Sequence, residues 1–295
     1  MSRQDRAGIY RSPDGARAVD QRYGELLGQW PVPCELLRVP TREGETFVVA
    51  SGPTHAPPVL ALQGSGGNAA MWLPQIAALS AHLRVYAVDV IGEPGRSAPS
   101  RPSFASGAYA RWLDDVLQRL GLTRVSMVGV SLGGWLALDY ATRRPQRVAR
   151  LVLLSPGGVG RRKTGLLVVL ALLLAFGDRG RRRALSLALG RGSRDPAQDA
   201  ALLDLVLLTF QHFRPRLQAQ PVFQDRALAR LAMPVLAIVG GRDAMLDSRQ
   251  TKRRLEAAVP HVTVLVLPGV GHLLPDCSAA VGDFLGDSRP AVSDG

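Results

Sequence analysis

Short apolar runs that alternate with helical stretches are the feature that most restricts the fold of this chain. Each run is apolar at almost every position, which is typical of strands buried on both faces of a sheet. Helices that connect parallel strands cover both faces, so we predict an α/β fold with a parallel sheet. The predicted strands are residues 58–62, 84–88, 125 up to Ser131, 151–154, 235–239 and 262–266.

The regions around this alternating core follow other patterns. Residues 16–30 have apolar positions at helical spacing and stop at Pro31, so we predict a short leading helix with no order before it. Residues 36–39 and 46–50 resemble a hairpin. We expect three parts. The first is an N-terminal extension with its short helix, residues 1–31. The second is a core in two segments, residues 32–155 and 231–295, and the third is a helical cap inserted after the sixth strand, residues 156–230.

The stretch Val125–Leu136 contains a sharp turn of the form Gly-x-Ser-x-Gly. Glycine at Gly129 and Gly133 removes side chains that would collide where the strand reverses into a helix, and Ser131 is pushed outward on a strained backbone. The amide of Leu132, at the start of the helix, is left without an intrahelical partner and could face an oxyanion. Ser131 is therefore a candidate nucleophile if the chain also supplies a base and an acid.

An acid and a histidine follow two later strands. Asp243 comes directly after the strand at 235–239, and His272 lies in a glycine-rich loop after the last strand. The carboxyl ends of parallel strands meet at one edge of the sheet, which is where reactive groups collect. The chain order of serine, acid and histidine matches that of a nucleophile elbow with its catalytic partners. Two other carboxylates near the acid and the base, Asp247 and Asp276, are alternatives to Asp243, and Asp225 is a weaker one.

These motifs together resemble the α/β-hydrolase superfamily over roughly residues 32–286. The resemblance implies a mostly parallel eight-stranded sheet flanked by helices, with a helical cap after strand 6. It also implies an oxyanion hole formed by two backbone N–H groups, those of Leu132 and of Ser65 in the loop after the third strand. That loop usually begins with His-Gly, whereas here it begins with Gln63-Gly64.

The loop from Asp89 to Ser97 has one residue more between its glycines than the D-x-x-G-x-G-x-S pattern of the family. Together with the segment from Asn68 to Trp72, it is similar to a bacterial subgroup described as carboxylesterase-like. The resemblance implies a serine hydrolase that cleaves a carboxylic ester of an apolar small molecule through an acyl-enzyme. Hydrolysis of a thioester, lactone or carbon–carbon bond, acyl transfer with the same triad, and a non-catalytic ligand-binding relative remain open.

Composition narrows the range of partners. The chain of 295 residues is 46% hydrophobic, enough for one core with inserted segments, and its net charge of +12 comes almost entirely from arginine. We interpret the charge as solvated surface, since no basic stripe with interleaved aromatic residues indicates nucleic acid. The charged N-terminus lacks the apolar region of a secretory signal, so we expect a cytoplasmic protein. The oligomeric state stays open.

Three further features have more than one interpretation. Leu166–Phe176 is an unbroken apolar run between clusters of arginine, and it is too short to cross a bilayer. We favour a cap helix that lines the pocket. The alternative is a helix that contacts a membrane surface, as a peripheral lipase would need. Cys34 and Cys277 lack metal-ligand spacing, and a disulfide between them stays open. No motif indicates a metal or a nucleotide cofactor.

Overall fold

The computed structural model describes residues 8–163 and 196–286. Its centre is one eight-stranded sheet with the order β1-β2-β4-β3-β5-β6-β7-β8, in which β1, β2 and β4 pair antiparallel and all other neighbours pair parallel. The prediction of a mostly parallel sheet is confirmed. The strands are β1 Cys34–Thr41, β2 Gly44–Ser51, β3 Pro58–Leu62, β4 Arg84–Val88, β5 Val125–Val130, β6 Val148–Leu154, β7 Val235–Gly240 and β8 Val262–Leu267.

Helices cover both faces of this sheet and enclose two apolar clusters. On one face pack α3, α4, α6 and α7, and on the other pack α1, α2, α5 and α8. The described helices are α1 Pro13–Leu27, α2 Leu73–Ser80, α3 Ala108–Arg119, α4 Leu132–Arg143, α5 Pro196–His212, α6 Asp225–Leu228, α7 Ser248–Ala258 and α8 Ser278–Gly286. Strands buried from both sides explain the nearly continuous apolar runs in the sequence.

Residues 8–11, which precede α1, have a defined structure, so the expectation of no order is wrong for them. Ile9 and Tyr10 are buried, and Tyr10 forms an antiparallel bridge with Phe213. The ring of Tyr10 also meets that of Phe213 edge to face, with centroids 5.9 Å apart. The two paired residues are about two hundred positions apart in the chain. Local sequence patterns do not predict a contact over this distance.

The predicted leading helix forms as α1, shifted towards the N-terminus. Ser12 caps it by accepting a hydrogen bond from the amide of Gly15 at 3.1 Å, and proline occupies the first turn. Its buried side chains, among them Tyr23, pack against the sheet, and Arg22 donates to the carbonyl of Ala201 in α5 at 3.4 Å. The N-terminal segment therefore contacts both the core and the chain between β6 and β7.

The chain between β6 and β7 is the long insertion expected from the sequence. Its described part contains α5, α6 and an extended segment between them, whereas Leu166–Phe176 lies outside the described residues. That the insertion forms a cap, with the bounds given above, stays a prediction. Of the helices in the described ranges, none combines the length and apolar content that crossing a bilayer requires. Both cysteines are free thiols, Cys34 exposed and Cys277 buried, so they do not form a disulfide.

Candidate active site

Ser131 is the residue at which β5 turns into α4. Its backbone adopts φ 49° and ψ −104°, a conformation that costs free energy for a residue with a side chain. Neighbouring backbone holds it there, because its amide donates to the carbonyl of Leu154 at 2.9 Å and its carbonyl accepts from the amide of Gly157 at 3.0 Å. The end of β6 therefore fixes the turn that presents the hydroxyl.

The two glycines of this turn lie where no side chain fits. A Cβ on Gly129 would lie 2.3 Å from the carbonyl oxygen of Gly133, and one on Gly133 would lie 2.1 Å from the carbonyl oxygen of Leu62. Both distances are far below van der Waals contact, and the atoms involved are backbone. The close approach of α4 to β3 and β5 thus requires glycine at both positions.

His272 and Asp243 lie next to Ser131 at the same edge of the sheet. The Nε2 atom of His272 is 3.1 Å from Oγ of Ser131, and its Nδ1 atom is 2.7 Å from Oδ2 of Asp243. A carboxylate only accepts hydrogen bonds, so Nδ1 carries the hydrogen and Nε2 is free to accept from the serine hydroxyl. Both partners are nearly removed from water, His272 with 6% and Asp243 with 2% of its surface exposed.

Asp243 is held by backbone as well as by the imidazole. Its Oδ1 atom accepts from the amides of Met245 at 2.7 Å and Leu246 at 2.9 Å, and its carbonyl accepts from Nζ of Lys163 at 2.6 Å. Burial on its own would raise the pKa of Asp243, but hydrogen bonds from His272 and from the two amides hold the pKa below its ordinary value. The group is therefore a carboxylate at neutral pH.

The alternative carboxylates have other partners. Asp247 caps the N-terminus of α7 through the amide of Gln250 at 3.0 Å. Asp276 accepts from the amide two residues later at 2.8 Å, and Asp225 forms an ion pair with an arginine of α7. Asp243 is thus the carboxylate that the structure brings to His272, by a hydrogen bond that the sequence alone could not assign.

The two amides predicted to face an oxyanion border the serine. Leu132 begins α4 directly after Ser131, and a Cβ on Gly64 would lie 3.6 Å from Cβ of Ser131, so the loop that carries Ser65 touches the turn. Neither the Leu132 amide nor the Ser65 amide donates to an atom of the described residues. N–H groups that make no other hydrogen bond are the donors that stabilisation of a tetrahedral oxyanion requires.

The glutamine that replaces the usual histidine in this loop joins two strand ends. The side-chain amide of Gln63 is oriented so that both its nitrogen and its oxygen have a hydrogen-bond partner. Its nitrogen donates to the carbonyl of Val88 at 2.5 Å, and its oxygen accepts from the amide of Val90 at 2.8 Å. Glu93, the carboxylate next to this loop, is not among the residues predicted from the sequence; its Oε2 accepts from the amide of Gly66 at 2.7 Å. The signal was present as the extra residue between the glycines of the 89–97 loop. In the part of the chain that the structure describes, no three His, Cys, Asp or Glu side chains are grouped to hold a metal ion.

The model of the alpha/beta hydrolase fold family matches residues 57–229, more than half of the chain. The chain belongs to this family. The matched region contains β3 to β6, the turn at Ser131 and the Gln63 loop.

Similar proteins extend this likeness to most of the chain. The carboxylesterase YbfK of Bacillus subtilis is 32% identical over 270 residues, which cover 86% of this chain and 87% of that protein. The crystal structure of carboxylesterase CesB (YbfK) from the same organism superposes with a TM-score of 0.79 at 31% identity, covering 92% of this chain and 98% of that one. That of the naproxen esterase (carboxylesterase NP) of Bacillus subtilis gives a TM-score of 0.79 at 29% identity, covering 92% and 96% of the two chains.

Proposed function

We propose that this protein is a serine hydrolase that cleaves carboxylic esters of apolar small molecules, with Ser131 as nucleophile, His272 as general base and Asp243 as the acid that orients it. The observation that carries the proposal is the continuous hydrogen-bond chain from Oγ of Ser131 through the imidazole to the buried carboxylate, 3.1 Å and then 2.7 Å long. Likeness to carboxylesterases over most of the chain supports the same reaction.

In the first half of the reaction, Oγ of Ser131 attacks the ester carbonyl carbon while Nε2 of His272 takes the hydroxyl proton. The carbonyl oxygen becomes an oxyanion, which the amides of Leu132 and Ser65 stabilise. The tetrahedral intermediate then collapses, the bond to the leaving alkoxy group breaks, and the imidazolium returns its proton to form the alcohol. Asp243 remains ionised throughout and stabilises the imidazolium charge.

In the second half, water attacks the acyl-enzyme. His272 takes a proton from the water, a second oxyanion forms at the same two amides, and the ester bond to Ser131 breaks as the proton passes back to its oxygen. The products are a carboxylic acid and the free enzyme. The reaction requires only protein groups and water, because the nucleophile, the base and the oxyanion donors all belong to the chain.

The test compares two serines that share a backbone feature. Ser131→Ala should reduce kcat for hydrolysis of p-nitrophenyl esters by about 10⁶-fold. Ser155→Ala is the control, since Ser155 also follows a parallel strand and also has a positive φ, 44° against 49°. A kcat for pure Ser131→Ala protein close to that of the wild type would refute the proposal.

Labelling with a fluorophosphonate separates an enzyme from a ligand-binding relative of the same fold. An activated serine reacts with the probe, so wild-type protein and Ser155→Ala should be labelled and Ser131→Ala should not. An unlabelled wild-type protein would favour the binding relative.

Substrate preference is open to a direct screen. The described part of the insertion exposes four large apolar side chains, Leu203, Phe210, Leu217 and Val222. A series of p-nitrophenyl esters of rising acyl length, with thioester and lactone substrates alongside, should give the highest kcat/KM for an apolar ester. A thioester or lactone that reacts faster would reassign the acyl bond while the triad roles stand.

A further inference from the structure

A buried carboxylate lies directly behind the loop that carries Ser65. Glu93 belongs to the loop between β4 and α3 and has only 4% of its surface exposed. The proposed reaction gives it no role, although a carboxylate buried to this extent is costly to desolvate unless other groups compensate it. Its partners therefore indicate why it is placed there.

Two of these partners are consecutive residues of the Ser65 loop. The Oε2 atom of Glu93 accepts from the amide of Gly66 at 2.7 Å and from the hydroxyl of Ser65 at 3.3 Å. Ser65, whose amide is the proposed oxyanion donor, is thus attached to Oε2 of Glu93 in two ways. Its own hydroxyl donates to this oxygen, and so does the amide of the next residue. Gly66 has φ 75°, a left-handed conformation that glycine adopts without steric cost.

Neighbouring contacts fix the same loop to the same support. The side chain of Asn68 donates to the carbonyl of Pro94 at 3.0 Å, and the amide of Ala69 donates to Asp89 at 2.8 Å. The Ser65 loop is therefore attached to the 89–94 loop along its length. Glu93 is the partner closest to the proposed oxyanion donor.

Charged and titratable groups from two other parts of the chain face Glu93. Burial raises the pKa of Glu93, while the amide of Gly66, the guanidinium groups of Arg101 and Arg216, and the hydroxyl of Ser65 lower it, and the balance is a pKa of about 7. Tyr109 of α3 also faces it, and its own pKa is raised to about 12, mainly by burial. Glu93 therefore changes from mostly neutral to mostly ionised within the pH range of ordinary activity assays.

The two arginines also attach the insertion to this site. Arg101 donates to the carbonyl of Arg214 at 2.8 Å. Arg216 donates to the hydroxyl of Tyr109 at 2.8 Å and to the carbonyl of Pro102 at 2.7 Å. The groups that compensate the Glu93 charge are thus the ones that join the segment after α5 to the 89–102 region.

We propose that Glu93 is a positioning residue of the oxyanion hole, which in its ionised form holds residues 65 and 66 so that the Ser65 amide faces the reacting carbonyl oxygen. The inference rests on the proposed ester hydrolysis at Ser131. A charge-assisted hydrogen bond is roughly twice as strong as a neutral one, so a carboxylate holds the Gly66 amide more firmly than an amide side chain would. The loop then enters the reaction already oriented, and no reorganisation is needed when the oxyanion forms.

Substitution of Glu93 tests this through the rate of the chemical step. Glu93→Ala removes the acceptor and should lower kcat for a p-nitrophenyl ester by roughly 30-fold with KM within about twofold, because the oxyanion donors act on the transition state rather than on the bound ester. A trifluoromethyl ketone forms a tetrahedral adduct with an activated serine, so its Ki should rise by the same factor as kcat/KM falls.

The matched control is a carboxylate of equal burial elsewhere in the molecule. Asp139 of α4 is also 4% exposed and pairs with Arg143 at 2.8 Å. Asp139→Asn should leave kcat and the inhibitor Ki unchanged. A loss of kcat in Asp139→Asn equal to that in Glu93→Ala would show a general effect of removing buried charge and would overturn the inference.

Glu93→Gln separates the charge from the shape and keeps the test valid if the alanine variant does not fold. It retains an acceptor for the Gly66 amide but has no charge at any pH. The ratio of wild-type to Glu93→Gln kcat should be close to one at pH 6 and rise to roughly fivefold at pH 8.5. A ratio that does not change with pH would overturn the inference.

Two outcomes distinguish this inference from the proposed function. If wild-type protein hydrolyses esters and is labelled by a fluorophosphonate while Glu93→Ala retains full kcat, the role of Glu93 is refuted and the serine hydrolase stands. If wild-type protein is neither active nor labelled, the proposed function fails and the role of Glu93 fails with it.

Discussion

At the scale of single residues, Asp243 is bound so firmly that it controls which nitrogen of His272 carries hydrogen. Its Oδ1 is occupied by the amides of Met245 and Leu246, so only Oδ2 faces the imidazole. In Asp243→Asn, the oxygen would keep the two amides and the NH₂ group would face Nδ1. The imidazole would then carry its hydrogen on Nε2, towards Ser131, and could not accept the hydroxyl proton.

We therefore expect Asp243→Asn to lower kcat about 10⁴-fold with little change in stability. The measurement is steady-state hydrolysis of a p-nitrophenyl ester, with urea unfolding in parallel. Asp247→Ala is the control, since it removes the cap of α7 and should lower the free energy of unfolding by about 1 kcal/mol while leaving kcat unchanged. The opposite pattern would assign the acid to Asp247.

The glycines of the turn give a second prediction at this scale. Gly133→Ala places a methyl group 2.1 Å from the Leu62 carbonyl oxygen, so it should destabilise the fold by about 3 kcal/mol or more. Gly282→Ala, in α8, meets no atom within 4 Å and should instead stabilise by about 0.5–1 kcal/mol. Thermal or urea unfolding of the two variants measures both effects; equal stability would mean that α4 can move away from β3.

At the scale of elements, α1 is joined to the loops of the active edge by an ion pair between Asp20 and Arg96 and by a buried hydrogen bond of Tyr23. The hydroxyl of Tyr23 donates to Oδ1 of Asp89 at 3.0 Å, and the same carboxylate accepts from the amides of Ala69 at 2.8 Å and Arg96 at 2.6 Å. An element outside the expected core thus stabilises the carboxylate that organises the loops after β3 and β4.

Tyr23→Phe tests this link. Burial raises the pKa of Asp89 to about 6, against the effect of its hydrogen bonds, so the group is ionised at pH 8 and mostly neutral at pH 5. The loss of the hydroxyl should cost about 2 kcal/mol of unfolding free energy at pH 8, where the bond is charge-assisted, and about 1 kcal/mol at pH 5. Urea unfolding at the two pH values measures the difference, and an equal cost at both would contradict it.

At the scale of the whole molecule, the proposed role of Glu93 has a cost in stability. Its folded pKa of about 7 lies above the ordinary value of 4.5. A raised carboxyl pKa means that the folded state binds the proton more tightly than the unfolded state does. Protonated Glu93 therefore stabilises the folded state below pH 4.5, and this stabilisation is lost as the pH rises through 7. Retaining a destabilising charge beside an active site is a common exchange of stability for activity.

Glu93→Gln should therefore gain stability relative to wild type as the pH rises. Between pH 4 and pH 8, the difference in unfolding free energy should shift in favour of the variant by about 3 kcal/mol. The contributions of all other groups cancel in this comparison of urea unfolding curves. A difference that stays constant over this range would show that the carboxyl group is not held at a raised pKa.

Much of the sheet was predictable because its signals are local. The apolar runs for β3 and β4 match the observed strands residue for residue, and those for β6 to β8 fall within them. The helix α7 had no equally strong signal, because it buries only Ser248, Thr251 and Leu255. The order at Ile9 and Tyr10 depends on Phe213, a residue far away in the chain.

The sequence by itself determined the alternation of buried strands and helices, the glycines that permit the turn at Ser131, and the order in which the serine, the acid and the histidine follow their strands. These features are visible in the sequence because burial, backbone conformation and steric space at a position depend largely on the residues next to it in the chain. The tertiary structure alone decided that Asp243 rather than Asp247 meets His272, and that Glu93 holds the Ser65 loop. Both are hydrogen bonds that exist only because folding brings the carboxyl ends of separate strands to one edge of the sheet.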